Sequence, residues 1–167
     1  MQGVINQYLA SDHTRLDKLL QQSVVKLGAI AMEPYGEFRK GLLRHISMEE
    51  KVVLPTIARL QGGKKAEIAE RIRLDHGALV ALLVPPPSSS IVNTIISILE
   101  LHNALEEEDG GLYQLLDNLS GPDADKIVEQ LKAVPPVPVL PHKEKPEILE
   151  ATRRAVERAG YKLKDMT

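Results

Sequence analysis

Four of the five histidines in this sequence, and two of its glutamates, fall where a helix should place apolar side chains. In "LRHISMEE", residues 43–50, His45 and Glu49 are four residues apart and share one helical face. That face is otherwise apolar, because the stripe runs Phe38, Leu42, His45, Glu49, Val52. Three more stripes repeat the pattern: Leu9, His13, Leu16, Leu20; Ile68, Ile72, His76, Leu79; and Ile95, Leu99, His102, Glu106. A lone histidine on such a face is ordinarily a hydrogen-bonded core residue. Two carboxylates buried among four imidazoles are different, since an uncompensated buried charge is strongly destabilising. No Lys or Arg falls on these stripes at that level, so the expected counter-charge is a metal. Six donors suit two ions better than one, and two glutamates reaching in from opposite helices would bridge them. Imidazole with carboxylate suits iron, manganese or zinc.

The elements that must position these residues follow from apolar periodicity. Helices are expected over 3–28 (Leu9, Leu16, Leu20, Val24, Leu27), 34–61, 64–84 and 90–118, the last running through Val92, Ile95, Leu99, Tyr113 and Leu116. Gly28 and Pro34 mark the first break, and Pro55 predicts a kink inside the second helix. "GG" at 62–63 ends the second helix, and "PPPSSS" at 85–90 is both a stop and an N-cap signal. Gly110 and Gly111 should loosen the fourth helix near its end. A short helix over 122–133, an extended proline-rich linker over 134–146 and a last helix over 146–160 complete the chain. The expected fold class is therefore all-α. It is an up-down-up-down four-helix bundle over 1–120, with an accessory helix over 121–133 and a helix and tail over 147–167 after the linker.

Distance along the helices brings the six polar residues level. His13 lies about 17 residues before the first loop and His45 to Glu49 about 15 to 19 after it, roughly 25 Å at about 1.5 Å per residue. Glu49 and His76 are each about 13 to 14 residues from the second loop. His76 and His102 are about 11 and about 15 residues from the third, a mismatch of roughly 6 Å that a proline-rich loop absorbs.

Composition excludes several other classes. There is no cysteine, hence no disulfide, thiolate zinc site, iron–sulfur cluster or cysteine nucleophile. A net charge of −2 leaves no footprint for nucleic acid or an anionic membrane, and no apolar run approaches the length of a membrane span. "MQGVINQYLASDH" lacks a basic segment leading into an apolar core, so no signal peptide is expected and a cytoplasmic location is the default. Aromatic residues are only 3%, so Leu, Ile, Val and Ala must build the core. His142 in the linker is expected to be solvent-exposed and uninvolved. Glu50 is turned about 100° from Glu49 and should be solvated or support the ligands from outside.

The order H…HxxxE…H…HxxxE resembles the hemerythrin-like, or HHE cation-binding, domain. "SDHTRLDKLL" (11–20), "GLLRHISMEEKVVLPTI" (41–57), "RLDHGAL" (73–79) and "LELHNALEEEDGGLYQLL" (99–116) carry the resemblance, which covers about residues 1–118. It implies a four-helix bundle holding a non-haem di-iron centre with an oxo or hydroxo bridge. His13 and His45 would share one iron, His76 and His102 the other, with Glu49 and Glu106 bridging. Oxygen-carrying members have two histidines one turn apart on the third helix, whereas Ile72 and Val80 flank His76 here. Their fourth-helix carboxylate is Asp five residues after His; here Glu106 is four after and Glu107 five. The centre should therefore be more symmetric and more open, closer to the bacterial branch of sensors and iron–sulfur repair proteins. The cysteine-containing segment of those repair proteins has no counterpart in this sequence.

Three functions are expected to compete. The first is a module that binds or reacts with O2 or NO for sensing, storage or scavenging. The second is an iron donor, or an enzyme consuming peroxide or NO, with Tyr8 and Tyr113 as candidate redox partners, although packing is the commoner role of such tyrosines. The third is a metal-stapled structural module whose C-terminal helix docks on its own surface or on a protein partner.

Overall fold

In the computed structural model, residues 2–26 and 28–164 are described. The chain is all-α except for one small hairpin. Helix α1, Val4–Ser23, has no capping side chain of its own. Asp117 supplies the cap from far along the chain, accepting from the Ile5 and Asn6 amides at 3.0 and 2.9 Å. The approach is close enough that a Cβ on Gly3 would lie 2.2 Å from the Asp117 carboxyl carbon, so any larger residue there would push the capping carboxylate off the amides.

The first helix stops earlier than its stripe implies. After Ser23 the chain forms an antiparallel hairpin, β1 Val24–Lys26 and β2 Ala29–Ile30. Val24 and Val25 favour extended backbone, and Gly28 turns the chain at φ +79°. Leu27, the end of the expected stripe, lies outside the described residues.

Helix α2, Met32–Met48, continues through a π-helical turn, Glu49–Val53, into α3, Leu54–Leu60. The irregularity thus precedes Pro55 instead of centring on it. Proline cannot donate to the carbonyl four residues back and its ring crowds that carbonyl, so the helix widens by one residue just upstream. Helix α4, Ala69–Leu82, starts five residues later than periodicity suggests, because Lys64 and Lys65 have no apolar side to bury. Helix α5, Ser89–Glu107, opens on Ser88, whose hydroxyl accepts from the Ile91 amide at 3.2 Å. It ends ten residues or so before the expected limit. Glu108 leaves the helix, Gly110 takes φ +83°, and a separate α6, Leu112–Ser120, follows. Short α7, Ala124–Lys132, then leads into the extended linker and α8, Pro146–Arg158.

Two apolar clusters fill the core. One gathers Leu16, Leu20, Phe38, Leu42, Leu79, Leu82, Ile91, Ile95 and Ile98. The other gathers Ile5, Leu9, Met48, Val53, Ile57, Ile72, Tyr113 and Leu116. Along α1 and α5 the changeover between clusters falls at His13 and His102; along α2 it falls just past His45, between Ile46 and Met48, and along α4 it falls just before His76, between Ile72 and Leu74. The C-terminal elements join the same clusters: Ile127 and Leu131 of α7 enter the second, and Val156 and Ala159 enter the first. Helix α8 lies on α4, with the Thr152 hydroxyl donating to the Ala81 carbonyl at 3.0 Å. His142 is half-buried, not solvent-exposed. Its Nδ1 is 3.3 Å from the Val84 carbonyl and its ring 6.3 Å from that of Tyr35, because the linker lies against the α4 terminus. Among the described residues no helix is long and apolar enough to cross a membrane.

Removing the remote cap in Asp117→Ala should lower stability by about 1–2 kcal/mol, the usual worth of an N-cap, measured by urea denaturation.

Candidate metal centre

All six polar residues of the stripes meet in the layer between the two clusters, and none is more than 6% exposed. Helix α1 provides His13, α2 provides His45, the π turn opens with Glu49, α4 provides His76, and α5 provides His102 and Glu106. Two sets of four donors result: His13, His45, Glu49, Glu106, and Glu49, His76, His102, Glu106. Within each set the donor atoms lie within 4.8 Å of one another. Both sets contain both glutamates.

The imidazoles direct Nε2 inward. His45 Nε2 is 2.7 Å from Glu49 Oε1, and His76 Nε2 is 2.7 Å from Glu49 Oε2, so Glu49 offers one oxygen to each side. Glu106 Oε1 lies 2.6 Å from His102 Nε2 and 3.9 Å from His13 Nε2. Despite that proximity Glu106 Oε1 is buried with no hydrogen-bond partner. Two donor atoms close together but misaligned for a hydrogen bond are placed as neighbours on one cation are placed. The donor set and the orphaned oxygen both fit metal.

The outward nitrogens reveal a second layer. His45 Nδ1 meets Asp12 at 2.8 Å, His76 Nδ1 meets Glu50 at 2.8 Å, His102 Nδ1 meets Asp75 at 3.1 Å, and His13 Nδ1 meets Glu107. With a carboxylate outside each ring, Nδ1 donates its proton outward, and Nε2 is the nitrogen left to face a metal once the layer's inner protons are displaced. Each carboxylate is the chain neighbour of an inner-layer residue on its own element, yet it holds the histidine of the next one. Asp12 on α1 serves α2, Glu50 on the π turn serves α4, Asp75 on α4 serves α5, and Glu107 on α5 serves α1. Arginines brace three of them: Arg15 to Asp12 at 2.8 Å, Arg71 to Asp75 at 2.7 Å and Arg73 to Glu50 at 3.5 Å. Arg71 also donates to the Ala159 carbonyl, tying the end of α8 to this layer.

This much negative charge reshapes the titration of the metal-free protein. Burial pulls the His45 imidazole down, but the Glu49 charge and the Asp12 hydrogen bond outweigh it and raise its pKa to about 10. His102 is likewise lowered by burial and raised further by Glu106 and Asp75, to about 10. For His76, bonds to Glu49 and Glu50 overcome burial and give about 9. Burial pushes both inner carboxyls up. The His45 charge reverses this for Glu49, which falls well below the usual range, whereas the neighbouring Glu49 charge keeps Glu106 raised. Without metal, protons neutralise the layer; metal must displace them.

Tyr113 completes the centre. Its ring is fully buried, and its hydroxyl lies 2.6 Å from Glu49 Oε1, 2.9 Å from Glu106 Oε2, and 3.1 Å from Nε2 of both His13 and His45. Burial first, then the two glutamates, push its pKa well above 10. A mostly apolar cavity of about 140 Å³, lined by Leu16, Leu20, Leu42, Ile96 and Leu99 and also by Asp17, Glu100 and Asn103, reaches His13. A larger, polar cleft of about 510 Å³ lies by Gln2, Asn6 and Asp117 and touches none of the six residues.

Asp12, Asp75 and Glu107 are not among the residues expected to have a role, and Tyr113, a candidate redox partner for which packing is the commoner role, stands inside the centre. A signal was present: "DH" at 12–13 and 75–76, and "EE" at 49–50 and 106–107. His142 belongs to neither donor set, and Tyr8 packs at the edge of the second cluster. No family model, curated protein or solved structure matches the chain.

Two measurements follow from this geometry. The raised histidine pKa values contribute stability that is fully present below about pH 6.5 and lost as pH rises through 9 to 10. The thermal midpoint of chelator-treated protein should therefore fall steadily across that window, while metal-loaded protein stays level. Asp75→Asn should weaken metal binding about 10- to 100-fold in chelator competition, because the amide no longer fixes the His102 ring as a carboxylate does.

Proposed function

We propose that this chain is a non-haem di-iron binding protein of the hemerythrin-like type, an up-down-up-down four-helix bundle that binds or reacts with O2 or NO. The observation that carries this reading is the pair of four-donor sets sharing Glu49 and Glu106. His13 and His45 would hold one ion and His76 and His102 the other, with both glutamates between them. The resemblance of the HxxxE segments to that family favours iron over manganese or zinc, which the same donors accept. When bound, an iron pair supplies one-electron redox chemistry and coordination positions for a diatomic ligand.

The protein's own residues do the rest. The carboxylates outside the rings hold the four Nε2 atoms toward the centre. The two apolar clusters keep bulk water from the layer, which strengthens every charge interaction in it. The cavity of about 140 Å³ beside His13 has room for a diatomic; Leu16, Leu20, Leu42, Ile96 and Leu99 form its apolar wall, with Asp17, Glu100 and Asn103 also lining it.

A second reading, peroxide or NO turnover or iron donation, draws support from Tyr113, a phenol directed at the centre. Metal analysis after anaerobic iron loading, followed by O2 titration, separates the possibilities. About two irons per chain are expected, with loss of the pair in Glu49→Ala. A reversible spectral change supports binding. Steady consumption of peroxide or NO above that of His102→Ala supports turnover. Absence of bound metal after loading defeats both.

A further inference from the structure

Every hydrogen-bond partner of the Tyr113 hydroxyl belongs to one donor set. Within 3.1 Å of it stand two imidazole nitrogens, of His13 and His45, and one oxygen each of Glu49 and Glu106. Among the described residues His76 and His102 have only carboxylate hydrogen-bond partners and no phenol. The ring cannot swing away, because Tyr113 is fully buried among the apolar residues of the second cluster, with Leu112 and Leu116 of its own helix beside it. Behind it, Gly111 holds the turn tightly: a Cβ there would lie 2.8 Å from the Glu108 and Leu105 carbonyls. Helix α6 is therefore fixed to α5, and the phenol with it.

An ion bound by His13, His45, Glu49 and Glu106 would take the two Nε2 atoms and one lone pair of each carboxylate oxygen that the hydroxyl now contacts. The carboxylate oxygens keep a second lone pair each, so the phenol is not left without partners. Its oxygen nonetheless stands within 3.1 Å of all four donors, which brings it within reach of the ion itself. We infer that the Tyr113 phenolic oxygen is a direct ligand of the ion held by His13 and His45, a seventh donor of the centre. This rests on the di-iron reading above and makes it asymmetric. On coordination the phenolic O–H bond breaks, the oxygen gives an electron pair to the ion, and the proton leaves to solvent. No electron is transferred.

Resonance Raman of the full chain loaded with ferric iron tests this, with iron counted in the same samples. Wild type should show a visible charge-transfer band that enhances tyrosinate ring vibrations. Tyr113→Phe should retain two irons per chain and lose both features. If that variant fails to fold or load, ring-deuterated tyrosine in wild type shows the bands to be tyrosinate, since they must shift, and their persistence in Tyr8→Phe and Tyr161→Phe narrows them to the buried tyrosines, of which Tyr113 is the one whose hydroxyl contacts the donor sets. Iron-loaded wild type without tyrosinate bands overturns the assignment, as does their persistence in Tyr113→Phe. A chain that takes up no iron pair overturns it together with the di-iron reading, and the iron count tells the two failures apart.

Discussion

Two carboxylates without water are the constraint on which this structure depends. Glu49 and Glu106 are fully buried between two apolar clusters, where an isolated negative charge is strongly destabilising. The surrounding architecture answers that single problem. Four imidazoles face the pair, four further carboxylates fix the imidazoles from outside, and three arginines compensate the outer layer. The apolar residues above and below keep the arrangement dry. Moving any one of these helices by a turn would leave a charge or a ring nitrogen unpaired, so the centre fixes the helices' register as firmly as their packing does.

The six inner residues were legible because helical periodicity is robust. A histidine or glutamate in place of leucine stands out on a stripe, and residue counting from the loops is enough to bring the layers level. Breaks in the helices were less legible. The π turn at Glu49–Val53 is a response to Pro55 that appears upstream of its cause. The separation of α6 from α5 hinges on Gly110 and Gly111, which a periodic stripe passes over. That separation matters most for Tyr113, which belongs to another helix returning to the site, so its position on the α5 stripe had no meaning. Asp12, Asp75 and Glu107 escaped for another reason. Each sits about 100° from the inner face of its own helix, the angle of an ordinary surface residue, and acts only on a neighbour. Pairings between elements are not encoded in the periodicity of either one.

The outer ring also couples distant parts of the chain. Arg71 contacts both Asp75 and the end of α8, and Asp75 in turn orients His102. The geometry of one imidazole is thereby joined to a helix some fifty residues further on, beyond the linker.

The acid-and-ligand pairing has a further consequence. Asp12–His13 with His45, Glu49 and Glu50 has the same grammar as Asp75–His76 with His102, Glu106 and Glu107. The centre is thus a pseudo-dimer written in one chain. Each half brings the imidazoles of one donor set, yet borrows a carboxylate from the other half to complete it. The symmetry also fails beyond the glutamates. Seven residues after Glu106 stands Tyr113, and seven after Glu49 stands Thr56, too short to match a phenol's reach. Any chemical difference between two such near-twin halves has its most direct source in that one side chain.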